Sequence, residues 1–147
     1  MISQVHAHGD RRPYVSALVT LSPVEALDWA QAQGMAEAGE VARMKAELLG
    51  NPLARPAGLD AVLREVGERE EIRKRVIEAV RRGNAKLSQV ERVKRVMLLD
   101  RELSLEEDEI TPTLKVKRKN IEKRFAEQFD RLYAEDGFGL TVEKGRE

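Results

Sequence analysis

Apolar and polar positions along the chain change their period several times, and each change marks an element. Ile2 to His8 alternates imperfectly, with Val5 and Ala7 on one face and Gln4, His6 and His8 on the other, before reaching Gly9-Asp10. A period of two running into a turn predicts a strand. After Pro13, the run Tyr14 to Leu21 (YVSALVTL) is β-branched and too uniformly apolar for a half-exposed strand. It is read as a buried strand, paired with the first in a hairpin. Ser22-Pro23-Val24-Glu25 combines an N-cap residue, a proline at the first helical position and a glutamate three residues after the cap. A helix is therefore predicted through Val24, Leu27 and Trp29, ending at Gly34. Loss of that cap is expected to cost about 1 kcal/mol.

Between Met35 and Gly67 the pattern weakens. Val41, Met44, Leu48 and Leu49 have helical spacing, and turn signals at Asn51-Pro52 and Arg55-Pro56-Ala57-Gly58 separate them from a short helix through Leu59, Val62, Leu63 and Val66. The strongest periodicity runs from Arg69 to Leu87, where Ile72, Val76, Ala79, Val80, Gly83 and Leu87 recur at three- and four-residue steps. The opposite face carries Arg73, Lys74, Glu78, Arg81 and Lys86, as expected of a helix lying on one face of a sheet. Val90, Val93, Val96, Leu98 and Leu99 then predict a third strand, with Arg92, Lys94 and Arg95 along its exposed side or ends.

Leu103-Ser104-Leu105 reads as a short extended piece, and Glu106 to Glu109 as a solvated turn. Pro112 keeps Thr111 out of the helical region, and Thr113-Leu114 remain extended. Ile121, Phe125, Phe129, Leu132 and Tyr133 then restore a helical period, giving an amphipathic C-terminal helix from about Lys117 to Ala134. Gly137 and Gly139 end it and leave residues 137–147 as a mobile tail. The predicted fold is α+β: one domain over residues 1–136, a small three-stranded sheet with packed helices and a long C-terminal helix. A domain that opens directly in a strand at Met1-Ile2 is expected to have been cut from something longer.

Composition narrows the class. A chain of 147 residues buries roughly two-thirds of its unfolded surface, so one core-bearing domain is feasible. One Trp, two Tyr and three Phe make that core aliphatic, and 35% charged residues make the surface polar. The absence of cysteine excludes disulfide and thiolate chemistry. No apolar run approaches the ~20 residues of a membrane span, and MISQVHAHGD lacks the regions of a signal peptide. A cytosolic protein is expected. A formal net charge of zero disfavours a nucleic-acid module, as does the lack of aromatic residues among the basic ones. Steeply salt-dependent binding to unspecific DNA would support that reading. A helical adaptor using the Arg69–Leu87 face is the other rival, and partner binding untouched by Lys115→Ala would favour it.

Local charge is less even. Arg101 to Glu109 holds one positive residue against five negative, and Ile110 to Arg124 holds six positive against one negative. The sign reverses across the loop EITPTLKVKRK, and cations crowd a predicted helix start, where the helix dipole favours anions. Lys115 stands in that loop, or at its junction with the helix, ahead of Lys117, Arg118 and Lys119. A charge run is usually a solvated face. His6 and His8 share a strand face but lack a third ligand in sequence, so no metal site is expected. Trp29 is read as packing, not as a stacking platform.

Three segments carry a resemblance: GDRRPYVSALVTL, NAKLSQVERVKRVMLLD and above all EITPTLKVKRKNIEKRF. Together they resemble the C-terminal domain of long-chain acyl-CoA synthetases, members of the adenylate-forming (AMP-binding) superfamily, over about Ile2 to Tyr133. The resemblance implies a lid working over a much larger N-terminal adenylation domain. In the first half-reaction a fatty-acid carboxylate attacks the α-phosphate of ATP, giving an acyl-adenylate and pyrophosphate. In the second, the thiol of coenzyme A displaces AMP after the lid has rotated.

The loop lysine, here Lys115, is implied to enter the active site for the first half, where an ammonium stabilises charge on the reacting oxygens. Most of the superfamily has glycine before that lysine; this chain has Leu114, as expected of the long-chain branch. Lys117, Arg118 and Lys119 are left between shaping the loop, meeting the larger domain and helping a phosphate-bearing ligand. Arg11 and Arg12 are left between touching coenzyme A or the larger domain and forming an exposed turn. The phosphate loop, the acyl pocket and the hinge aspartate of the family lie upstream of Ile2. The chain alone is thus expected to bind neither ATP, coenzyme A nor Mg2+ and to lack ligase activity. Any membrane association is left to the larger domain.

Overall fold

A computed structural model describes residues 1–134 and 137–143. Strands β1 (Ile2–His8) and β2 (Val15–Leu21) form the expected hairpin, with Val5 opposite Val19 and Ala7 opposite Ala17. Four helices follow: α1 (Pro23–Ala32), α2 (Ala38–Gly50), α3 (Leu59–Gly67) and α4 (Glu70–Asn84). They form the crossover to β3 (Val93–Leu98), which pairs parallel to β2. A parallel pair requires such a connection, because a tight turn can only join antiparallel neighbours.

The uniform apolar run of β2 now has its cause. Ala17, Val19 and Leu21 face α1–α4 and join Ala26, Leu27, Val41, Leu63, Val66, Ile72 and Val76 in one core. Leu18 faces the other way, into a second core with Met97, Ile110, Ile121, Phe125, Phe129 and Leu132. A strand covered by helices on both faces has no polar side to show. Asn84, buried at the end of α4, donates Nδ2–H to the Val93 carbonyl at 2.8 Å and accepts the Val93 amide at 2.9 Å. This side-chain clasp sets where β3 begins.

The α+β class holds, and the structure corrects several details within it. The sheet has a fourth strand, β4 (Leu140–Thr141), antiparallel to β3, so the order is β1-β2-β3-β4. It comes from the segment expected to be a mobile tail. The Val142 amide donates to the Lys94 carbonyl at 2.8 Å, Arg81 Nε donates to the Val142 carbonyl at 2.9 Å, and the Val142 side chain is buried. Lys94, expected on the exposed side, is buried and pairs with Glu143 at 3.1 Å. The expected domain boundary at residue 136 and the last residues, 144–147, lie outside the described residues. The single C-terminal helix is two, α5 (Arg118–Arg124) and α6 (Ala126–Tyr133), broken where Phe125 takes φ −105° and ψ 20°.

Ser22 sits at the N-cap of α1 with extended backbone but makes no side-chain cap hydrogen bond, so the anticipated cap energy has no bond behind it. Leu49 and Val90, counted as apolar-face positions, are 80% and 75% exposed. Among the described residues no helix is long and apolar enough to cross a membrane.

On β1 the polar face is the one that packs. His6 is buried against α5 and α6, whereas Val5 is half exposed on the edge strand. Glu122 of α5 receives both histidines, His6 Nε2 at 2.9 Å and His8 Nδ1 at 2.5 Å, and the His8 ring stacks on Phe129 at 4.3 Å. Tyr133 donates its hydroxyl toward the carbonyls of Tyr14 and His8 at 2.8 and 3.1 Å. The hairpin is thereby fastened to the C-terminal helices by polar contacts that compensate for the burial of polar groups.

Candidate functional site

The loop that reverses the charge is a second hairpin, not an extended link. Thr111, Pro112, Thr113 and Leu114 make a β-turn closed by the Leu114 amide on the Thr111 carbonyl at 2.9 Å, with proline at the position its fixed φ favours. The Thr111 amide donates to the Lys115 carbonyl at 2.8 Å, and the Lys115 amide to Thr111 Oγ1 at 3.0 Å. Below the turn Ile110 bridges Val116, and the Lys117 amide reaches the Glu109 carbonyl at 2.8 Å. Thr113 and Leu114, expected extended, are the bend itself.

Leu114 carries the strain of that bend. Its φ is +67°, the left-handed region that costs an L-residue roughly 1–2 kcal/mol and glycine almost nothing. Its side chain is 47% exposed and lines the rim of a 250 Å³ groove with Leu48, Leu53, Leu105 and Ile110. Replacing it by Gly and by Ala removes the same packing, but only Gly relieves the backbone. The Gly variant should be more stable than the Ala variant by about 1 kcal/mol, roughly 2–4 °C in Tm. Equal melting temperatures would contradict the left-handed turn.

The charge reversal folds into pairs. Lys117 pairs with Asp108, whose carboxyl is held below the usual aspartate range by that hydrogen bond and charge. Asn120 Nδ2 donates to the Asp108 carbonyl at 2.7 Å. Arg124 pairs with Glu107 at 3.1 Å. Among the described residues, Lys115, Arg118 and Lys119 have no ion pair, and all three are exposed. Of the three cations left open by sequence, Lys117 is thus a brace for the loop, while Lys115, at the descending end of the turn, has no ion pair among the described residues. Arg11 is exposed in the first hairpin, and Arg12 is engaged with Asp130 and lies over the Tyr133 ring at 4.7 Å.

Glu109 was not recognisable as part of the site. Expected in a solvated turn, it is fully buried. Arg101 meets it with two hydrogen bonds at 2.6 and 2.8 Å, the Ser104 amide donates to it at 2.9 Å, and Arg124 Nε lies 3.3 Å away. Burial works to raise its pKa, but the Arg101 hydrogen bonds, the Ser104 amide and the charges of Arg101 and Arg124 outweigh it, leaving the carboxyl below the ordinary glutamate value. Its ionised form therefore stabilises the fold above about pH 4.3, the unfolded value, and that contribution disappears as pH falls through the lower folded value. One acid in an acidic run gives no sign in sequence of being the buried one.

An exposed lysine on a pinned hairpin can deliver positive charge into a neighbouring cavity, but it cannot form one. A family model described as "AMP-binding enzyme C-terminal domain" matches residues 60–137, more than half of the chain and the whole of the lysine hairpin with its braces. The chain belongs to that family.

This AMP-binding enzyme C-terminal domain is 38% identical over 91 residues to the provisionally named fatty-acid–CoA ligase FadD11 of Mycobacterium tuberculosis, a stretch covering 62% of the chain and 16% of that relative. It is 27% identical over 133 residues to the long-chain-fatty-acid–CoA ligase FadD15 of the same species, covering 90% of the chain and 18% of that protein. The domain therefore spans less than a fifth of the length of these curated relatives. No solved structure gives a significant match.

Proposed function

We propose that this chain is the C-terminal lid of an ATP-dependent, AMP-forming fatty-acid–CoA ligase acting on long-chain acids, and that Lys115 is the residue it contributes to acyl-adenylate formation. The observation that carries the reading is Lys115 itself: an exposed cation with no ion pair among the described residues, on a hairpin braced by Asp108–Lys117 and Glu109–Arg101. The family membership and the names of the relatives supply the reaction class.

In this reading a larger domain of the same polypeptide binds fatty acid, ATP and coenzyme A, and the lid closes on it. As the carboxylate oxygen bonds to the α-phosphorus, the bond to the pyrophosphate oxygen breaks and negative charge collects on the phosphoryl oxygens. An ammonium held there lowers the barrier electrostatically and transfers no proton. With the lid rotated away from that contact, the thiol of coenzyme A loses its proton and bonds to the acyl carbonyl carbon, the carbon–oxygen bond to the phosphate breaks, and AMP leaves. Among the described residues no group of three or more histidines, aspartates or glutamates could hold a metal ion; in this reading Mg2+ accompanies the nucleotide phosphates in the larger domain.

The test is a complete polypeptide carrying this domain, assayed for fatty-acid-dependent exchange of pyrophosphate into ATP and then for thioester formation with coenzyme A. Both activities are expected, and neither from residues 1–147 alone. A complete protein inactive in both would overturn the proposal.

A further inference from the structure

Glu109 is a buried charge six residues before the lysine whose location matters. We propose that it is a positioning residue for the hairpin, fixing where Lys115 stands through the two arginines that hold its carboxylate; this rests on the reading of Lys115 given above.

Each contact of Glu109 ties the hairpin base to another part of the domain. Arg101 lies three residues past the end of β3, so its paired hydrogen bonds refer the hairpin to the segment leaving the sheet. Arg124 belongs to the last turn of α5, so its contact refers the hairpin to the helix that follows. The Ser104 amide donates to the carboxylate, while the Glu109 amide donates to the Ser104 carbonyl at 3.0 Å. The Glu109 carbonyl accepts the Lys117 amide and closes the hairpin from below. Ile110, next in the chain, is buried in the second core.

Taking a carboxylate out of water is costly unless its partners are well placed, and an apolar side chain would fill the same space more cheaply. What the pair supplies that an apolar residue would not is direction. Two planar guanidinium groups restrict the carboxylate in three dimensions, and hence the backbone leaving it. A misplacement of about 1 Å at a reacting centre costs on the order of 100-fold in rate.

The experiment is done in the complete ligase, with the two half-reactions measured separately. Glu109→Gln keeps the volume but offers the two arginines one neutral acceptor oxygen. It should slow adenylate formation roughly 10- to 100-fold in kcat, with KM for ATP and fatty acid nearly unchanged. Thioester formation from preformed acyl-adenylate should stay within about twofold. Combined with Lys115→Ala, the same change should add no further loss, because it acts through the lysine. Arg124→Gln removes the half-exposed partner and leaves the Arg101 bonds, so it carries the test if Glu109→Gln does not fold, with a loss of several-fold expected in the same half-reaction.

Folded Glu109→Gln and Arg124→Gln enzymes that form adenylate at the parental rate would overturn the inference. So would parallel loss in both half-reactions, with Glu109→Gln slowing the Lys115→Ala enzyme further, since that is general destabilisation. If Lys115→Ala leaves adenylate formation intact, the lysine assignment itself fails. If Lys115→Ala is slow and Glu109→Gln is not, only the positioning role fails.

Discussion

Replacing Lys115 by Ala in the complete ligase should slow acyl-adenylate formation by about 100- to 1,000-fold, the loss found when one preorganised electrostatic donor is removed from a charge-stabilising site. The hairpin does not depend on the side chain: its bonds run through the Lys115 amide and carbonyl, both kept by Ala. Nor does the ammonium hold any carboxylate among the described residues. Melting temperature should therefore stay within a degree or two, as for an ordinary surface substitution of up to about 0.5 kcal/mol. Thioester formation from preformed acyl-adenylate should proceed at nearly the parental rate. Arg should restore the lost charge but not its geometry, and so only part of the rate, since the guanidinium is planar and longer. Equal loss in the two half-reactions, or a marked fall in stability, would refute the assignment.

Gly139→Ala should be the most destabilising Gly→Ala change among the described glycines. A Cβ there would lie 2.4 Å from Leu132 Cδ2 and 2.7 Å from the Val96 carbonyl oxygen, and the backbone is at φ +79°. Leu132 is the end of a flexible side chain and can shift; the Val96 carbonyl belongs to β3 and cannot. The left-handed backbone adds roughly 1–2 kcal/mol to an overpacking cost of about 1–3 kcal/mol. A total of about 2–5 kcal/mol lowers Tm by roughly 5–15 °C in a chain of this size. Gly137→Ala is the control, with φ +87° and no atom within 4 Å of the added carbon. It should cost only the backbone part. Identical losses at the two positions would show that Gly139 is not wedged between α6 and β3.

These expectations separate what hydrophobic periodicity can report from what it cannot. Elements with a regular pattern of burial or a plain start signal were legible. Ile72 and Val76 on α4, the apolar run of β2 and the Ser22-Pro23 start of α1 each write their environment into spacing. Strand β4 is two residues long and held by backbone bonds to β3, so it has no period to detect. Glu109 sits in an acidic run where the prior favours solvent. Its burial depends on Arg101, eight positions earlier, and Arg124, fifteen later, a meeting that only the folded chain arranges. His6 and His8 alternate correctly, but with Val5 as the competing face, spacing alone does not say which side is covered; Glu122, supplied by α5, decides it.

For the site, Lys115 was singled out by resemblance of the surrounding loop, since charge pattern alone left it one lysine among several. Folding adds the distinction that pattern lacked. Lys117, two positions on, is spent on Asp108, whereas Lys115 is not. Leu114 shows a different limit: its residue type argues against a left-handed turn, and the chain adopts one anyway.

The parallel pairing of β2 with β3 has a consequence for how the domain is made. Val15 meets Val93 across a crossover containing all of α1–α4, so the centre of the sheet closes only after that whole stretch has emerged and organised. Pairings this far apart in sequence slow folding, because the chain gives up its freedom before the contact returns anything. The β1–β2 hairpin is local and can form early, but it stays half-covered until β3 arrives. The base of the lysine hairpin is held by Arg101, just past β3, and by Arg124 of α5, so its place in space waits on that closure as well.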